Sequence, residues 1–252
     1  MKIAIISDIH ANLPALEAVL AHARSLKAKG IWCLGDLVQF NAFPHEVVKT
    51  IRKLGIPCIV GNIDRRVMEM RQLVKTTPFE DIPESQQPFV WSYNQLSKKD
   101  RAYLDDLPQA MLLKFKGYRF LLTHGSPAAN DDPIQMDTAE ERLAELAGMT
   151  EADFILCGHT HHPFTRQSGR TVFINPGSVG RTVDRDPRAS YCILDIRKDS
   201  VEAQFYRVEY NLEIAVDGIR TAGLPELYAR VMAAAVSLDE GRAMQPGEEV
   251  PG

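Results

Sequence analysis

Lys2-Ile3-Ala4-Ile5-Ile6-Ser7-Asp8-Ile9-His10 opens the chain with an apolar run that ends on polar residues. Such a run predicts a short buried strand, Lys2 to Ser7. Asn12 to Ala28 follows with Leu13, Leu16, Val19, Leu20 and Ala23 on one face, the spacing of an amphipathic helix. Ile31 to Leu34 then predicts a second strand. Pro44 to Leu54 predicts a second helix with Val47, Val48, Ile51 and Leu54 inward, and Pro57 to Val60 a third strand. This alternation implies parallel strands joined by crossover helices. It puts the polar residues after each strand at the carboxyl edge of the sheet, where ligands bind in such folds.

From Arg65 to Pro108 the strand rhythm stops, and the segment reads as an insertion of loops and short helices flanking that edge. Strands resume at Ala110 to Lys116, Tyr118 to Thr123, Phe154 to Cys157, Thr171 to Asn175, Ser190 to Ile196 and Ser200 to Arg207. Several are separated by hairpin-length turns, so the second half is richer in antiparallel pairing. Leu212 to Ala222 and Pro225 to Ala235 predict helices within a C-terminal stretch, 208–240. Residues 241–252, rich in Pro, Gly and Glu, read as a disordered tail. The expectation is one globular domain over 1–240.

At 252 residues and 45% hydrophobic content the chain can bury a sizeable core unaided. The balance of 29 basic against 33 acidic residues, net -4, offers no electrostatic grip on a nucleic-acid backbone. Cys33, Cys58, Cys157 and Cys192 stand singly in apolar runs, without metal or redox spacing, and read as buried thiols. Buried free thiols and the lack of a signal-peptide pattern at the N-terminus suggest the cytoplasm. No run reaches the roughly 18 to 20 apolar residues needed to span a bilayer. Oligomeric state is not legible.

The polar residues after the strands carry the chemistry. Asp8 and His10 follow the first strand, Gly35-Asp36 the second and Gly61-Asn62 the third. His124 lies in Thr123-His124-Gly125, and His159 and His161 in Gly158-His159-Thr160-His161. Two carboxylates, one amide oxygen and four imidazoles make seven candidate ligands, a mixture suited to first-row transition metals rather than to Ca²⁺ or Mg²⁺. Seven exceed what one ion takes while leaving room for water, so two ions are the economical reading. If Asp36 bridges them, each gains about four protein ligands, with the ions roughly 3.5 to 4 Å apart. A hydroxide held between both is then the expected nucleophile toward phosphorus, with Asp36 and Asn62 positioning the centre that generates it. His22 and His45 lie inside helical patterns, and His162 stands beside the cluster; none reads as a ligand.

Asp-x-His, Gly-Asp, Gly-Asn, His and Gly-His-x-His, in that order over residues 2–196, resemble the calcineurin-like metallophosphoesterases. Ile174-Asn175-Pro176-Gly177-Ser178-Val179-Gly180 and Asp186-Pro187-Arg188-Ala189-Ser190-Tyr191 are similar to the small bacterial and archaeal phosphodiesterase branch. The resemblance implies an α/β (α+β) fold, a four-layer αββα sandwich with a dinuclear site at the strand ends. It implies Asp8, His10, Asp36 and His161 on one ion, and Asp36, Asn62, His124 and His159 on the other. Mn²⁺ is favoured by resemblance, while Fe²⁺, Co²⁺, Ni²⁺ and Zn²⁺ also suit the donors. The loop Asn175 to Ser178 reads as support for the histidine turn.

Many relatives carry a histidine after the ligand asparagine, where it assists the leaving group; here Ile63 stands there. Asp64 is thereby free to pair with Arg65 or Arg66, and a preference for phosphodiesters or good leaving groups is expected. Arg65 is a candidate phosphate clamp, and Asn12 a candidate phosphate donor that also suits a helix N-cap. The expected partner is a small phosphoester. Alternatives are a phosphomonoesterase or protein phosphatase on the same metals, and a non-catalytic scaffold like that of the retromer coat.

Overall fold

Alternation along the first strand builds two cores at once. In the computed structural model, which describes residues 1–244, Lys2–Ile6 (β1) sends Ile3 and Ile5 to one face and Ala4 and Ile6 to the other, all buried. Leu13–Ser25 (α1) carries the chain over to Gly30–Cys33 (β2), which pairs parallel with β1. Pro44–Leu54 (α2), Asn62–Thr76 (α3), Gln87–Gln95 (α4) and Lys98–Asp106 (α5) follow. Then come Ala110–Phe115 (β3), Tyr118–Thr123 (β4), Glu140–Gly148 (α6), Phe154–Leu156 (β5), Phe164–Ser168 (β6) and Thr171–Asn175 (β7). Ala189–Ile196 (β8), Val201–Val208 (β9), Leu212–Thr221 (α7), Glu226–Ala234 (α8) and Leu238–Ala243 (α9) end the described chain.

The strands form two sheets, ordered β2-β1-β8-β9 and β3-β4-β5-β7-β6. Between them lies a core of Ile3, Ile5, Trp32, Cys192 and Leu194 from the first sheet against Phe120, Leu122, Leu156 and Ile174 from the second. The far face of the first sheet, Ala4, Ile6 and Ile193, packs on Leu16 and Val19 of α1 and Val47, Val48 and Ile51 of α2. The far face of the second, Ile155 and Phe173, packs on Leu143 and Leu146 of α6. The layering is therefore α, β, β, α, as the resemblance implies. It follows from strands whose two faces are both apolar, each side chain such as Ile5 contributing roughly 1.5–3 kcal/mol by burial.

Several boundaries differ from the sequence reading. Pro57 to Val60 is no strand: Cys33 bonds Pro57 O and Ile59 N, at 2.9 and 3.2 Å, and the pairing is a single bridge of Cys33 with Cys58. Val60 N already turns to Pro108 O. The insertion begins as a regular helix of 15 residues, α3, whose Ile63, Val67, Met70 and Val74 pack on the main core at helical spacing. β6 and α6 lacked a clear period. The expected tail at 241–252 begins inside α9, and residues 245–252 lie outside the described ones. Among the described residues no helix is long and apolar enough to cross a membrane.

Asp64 is where the first helix of the insertion is fastened. Far from pairing with Arg65 or Arg66, its fully buried carboxylate accepts from Leu37 N at 2.8 Å, Val38 N at 3.2 Å and Gly61 N at 3.0 Å. Burial and the neighbouring charge of Asp36 push it up to about 7. Asp64→Ala leaves three buried donors unpaired and should lower stability by about 3 kcal/mol, Asp64→Asn by less. Urea unfolding of chelated protein, with m unchanged, measures both.

Candidate metal centre

The seven candidate ligands all follow strands or open a helix, and the structure brings them to one edge. Asp8, His10 and His161 form one group with donor atoms within 4.8 Å of one another, and Asp8, Asp36 and His124 another. Asn62, the first residue of α3, completes the set: its Oδ1 lies 2.9 Å from His124 Nε2 and 3.1 Å from His159 Nδ1.

The convergence depends on unusual backbone. Asp8, His10, Asp36, His159 and His161 have φ of 55°, 48°, 54°, 67° and 63°. That is the left-handed region, tolerated best by Asn, Asp and His and costing of order 1–3 kcal/mol for a non-glycine residue. Cross-loop bonds hold these turns: Asp8 N to Gly35 O at 3.0 Å, His10 N to Asp36 O at 2.9 Å, Gly158 N to His124 O at 2.7 Å and Gly180 N to Asp8 O at 3.0 Å. Two glycines let the turns touch. A Cβ on Gly61 would stand 1.9 Å from Asp36 Oδ1, and one on Gly158 2.1 Å from Ser7 Oγ.

Tautomers follow from the outer contacts. His124 Nδ1 faces Leu34 O at 2.7 Å, His161 Nδ1 faces Arg181 O at 2.5 Å and His10 Nδ1 faces Val38 O at 3.4 Å. A carbonyl only accepts, so each Nδ1 carries a proton, and each ring turns Nε2 inward as the atom left to take a metal once it is unprotonated. Nε2 of His10 and of His161 sit 3.1 Å apart, both turned to one point. Each carboxylate likewise spends one oxygen on the fold. Asp36 Oδ1 accepts from Ile63 N at 2.9 Å and Asp8 Oδ2 from His159 N at 3.2 Å. The inward Asp8 Oδ1 is buried without a hydrogen-bond donor, and Asp36 Oδ2 lies 3.3 Å from His124 Nε2 and 3.8 Å from His10 Nε2. Orphaned buried carboxylate oxygen beside inward imidazole lone pairs is a donor set that fits divalent transition metals.

Burial would raise Asp8, but the imidazoles of His161 and His124 hold it far below the usual carboxylate range. Burial likewise opposes the lowering of Asp36, which His124 enforces. For His124, burial is overruled by Asp36 and Asp8, which lift it to about 10. His10 is driven by burial down to about 3, against the pull of Asp36.

Other expected residues fall elsewhere. Asn12 caps α1, its Oδ1 accepting from Ala15 N at 3.1 Å, while Nδ2 donates to Gly180 O at 3.0 Å and Tyr210 Oη at 3.3 Å. Its oxygen and amide group are engaged in the fold, in the N-cap role that the sequence also allowed. Arg65 lines a cleft of about 540 Å³ with Asn62, Arg66 and Asn130, and Gln109, its amide oriented to accept, meets its guanidinium at 2.8 and 3.2 Å. His22 bonds Tyr191 Oη and His45 bonds Asp100, and His162 is exposed. Asn175 Nδ2 donates to Gly158 O, and Ser178 Oγ to Asp8 O, so their loop braces the ligand turns. Arg181, Phe40 and Tyr228 also border the centre, with Phe40 and His10 edge to face at 5.0 Å. No motif or periodicity marks these three, since their proximity depends on long-range packing.

The profile of the calcineurin-like phosphoesterase superfamily domain matches residues 1–199. An uncharacterized protein of Methanocaldococcus jannaschii is 32% identical over 241 residues, 89% of this chain and 94% of that one. The crystal structure of a metallophosphoesterase from Sphaerobacter thermophilus aligns at 31% identity and TM-score 0.79, over 94% of this chain and 99% of that one. Phosphodiesterase YfcE of Escherichia coli is 26% identical over 206 residues, 77% of this chain and 88% of that protein.

With His124 raised to about 10 by Asp36 and Asp8, a divalent ion that took its Nε2 would have to displace a proton there. Mn²⁺ binding at pH 7 should therefore release about one proton and tighten as pH rises toward 10, because the proton that competes with the metal is then lost. Calorimetry in buffers of different ionisation enthalpy counts that proton, and buffer-independent heats would contradict the assignment.

Proposed function

Because the chain belongs to the calcineurin-like phosphoesterase superfamily, we propose that it is a metal-dependent phosphodiesterase acting on a small phosphoester at a dinuclear centre. The observation that carries this reading is the pair of half-used carboxylates, Asp8 and Asp36, each with one oxygen tied to backbone and one turned toward imidazole lone pairs. Asp8, His10, Asp36 and His161 would hold one ion, and Asp36, Asn62, His124 and His159 the other. Asp36 is the shared ligand in this reading, supported by its Oδ2 lying within 3.8 Å of His10 and 3.3 Å of His124. Bound there, two divalent ions, Mn²⁺ in our reading, supply Lewis acidity and a water-derived nucleophile at neutral pH.

The chain's own groups orient and complete the chemistry. The backbone contacts of His10, His124 and His161 keep their Nδ1 protons outward and their donor nitrogens fixed. Arg65 would clamp phosphate oxygens, a role supported by its lining the same cleft as Asn62. Ile63 packs its side chain on the main core and offers no proton to a leaving group. An ester whose leaving group departs unaided suits that arrangement, which favours diesters with good leaving groups over alkyl monoesters. The name of the phosphodiesterase from Escherichia coli points the same way. The four buried free cysteines suit a reducing compartment.

Chelator-stripped protein should be inactive on a chromogenic phosphodiester and regain turnover with added Mn²⁺, Co²⁺ or Ni²⁺. Asp36→Asn should lose at least about 100-fold in kcat, together with part of the metal. A higher kcat/KM for monoesters across a leaving-group series would move the assignment to a phosphomonoesterase. Arg65→Ala should raise KM by about tenfold with metal content unchanged, and an unaltered KM would remove Arg65 from the site.

A further inference from the structure

Arg181 is an arginine without an anion. None of its side-chain N–H groups donates to an acceptor among the described residues, no carboxylate there lies within ion-pair distance, and its Nε is shut off from solvent. Arg207 and Arg119, also partly buried, each have a carboxylate partner, Asp184 and Asp153. The Arg181 guanidinium carbon rests 4.4 Å above the ring of Phe40, and that ring meets His10 on one side and Tyr228 on another, both at 5.0 Å between centroids. Its backbone is fixed to the centre as well. Arg181 O receives the Nδ1 proton of His161, and the preceding Gly180 N donates to Asp8 O.

A half-buried guanidinium whose Nε is shut off from solvent without an acceptor, and whose other donors have no protein partner among the described residues, leaves hydrogen-bonding capacity for a ligand to fill. Burial lowers Arg181 to about 10, with Tyr228, Asp8 and Asp36 pulling the other way, so it stays charged at neutral pH. Tyr228 Oη accepts from Gln39 Nε2 at 3.2 Å, leaving its own proton without an acceptor among the described residues. Gln39 and Phe40, which build this wall, both hold left-handed backbone, with φ of 72° and 69°. Once cations occupy the carboxylates, the species that these free donors can still take is an anion.

We propose that Arg181, helped by the hydroxyl of Tyr228, which packs on the same Phe40 ring, binds a non-bridging oxygen of the substrate phosphoryl group from the His10 side of the centre. The proposal rests on the phosphoesterase reading and adds a second clamp on the other side from Arg65. Phe40 serves as the platform that sets the plane of the guanidinium, a stacked geometry that lysine does not reproduce.

Metal-loaded Arg181→Met keeps the stem packed on Phe40 and removes the donors. Inorganic phosphate, titrated by calorimetry, should bind it about tenfold or more weakly, with metal content and melting temperature as in the parent. In Arg181→Ala, millimolar guanidinium ion should restore phosphate binding, and methylammonium should not. Unchanged phosphate affinity in Arg181→Met overturns the proposal. So does a loss of metal in step with the loss of phosphate, which would make Arg181 a brace for His161. If the parent hydrolyses no phosphoester yet Arg181→Met still loses phosphate, the anion site stands and the phosphodiesterase reading falls.

Discussion

A single buried carboxylate, that of Asp64, holds two turns of the candidate centre in register. It joins the turn after β2, through Leu37 and Val38, to the entry of α3, through Gly61. Asp36 is the residue just before the first of these turns, and Asn62 the residue just after the second. Asp36 repeats the device by accepting from Ile63 N. The start of α3 thus has two of its free N–H groups met by carboxylates, where the helix dipole also favours negative charge. A slip of either turn would separate Asp36 from Asn62, and the close approach of Gly61 to Asp36 leaves no room for one.

The edge itself exists because β1 and β8 are apolar on both faces. Ile3 and Ile5 serve the core between the sheets, while Ala4 and Ile6 serve the core beneath α1 and α2. A strand buried on both sides has only its end at which to present polar groups. Polar residues of the central strands are therefore concentrated at the carboxyl ends, and strands from both sheets deliver them to one place.

This is why the residues that converge at the edge were legible in the sequence and their supports were not. Asp8, Asp36, His124 and His159 each follow an apolar run directly, so strand prediction locates them. The helix bearing Asn62 was also legible in principle, through Ile63, Val67, Met70 and Val74, but its dense charges between those positions masked the period. Phe164–Ser168 is a short strand at a sheet edge with polar Thr165, Arg166 and Gln167, and carries little strand signal. Asp64 looked available to its arginine neighbours because its true partners, Leu37 and Val38, lie 27 and 26 residues earlier. Arg181 and Tyr228 acquire meaning only after the C-terminal helices have packed against the turn at Phe40.

The left-handed turns at five ligands carry a consequence for the order of assembly. Asp and His tolerate such backbone better than other side chains but still at a cost, and the bonds that enforce it at Asp8, His10, Asp36, His159 and His161 join segments as distant as Asp8 and Gly180. Contacts of that separation form late, after loop closure across most of the chain has been met by core burial. The donor atoms therefore converge as a product of folding. A nascent chain presents these carboxylates and imidazoles apart, and only the folded chain presents them together.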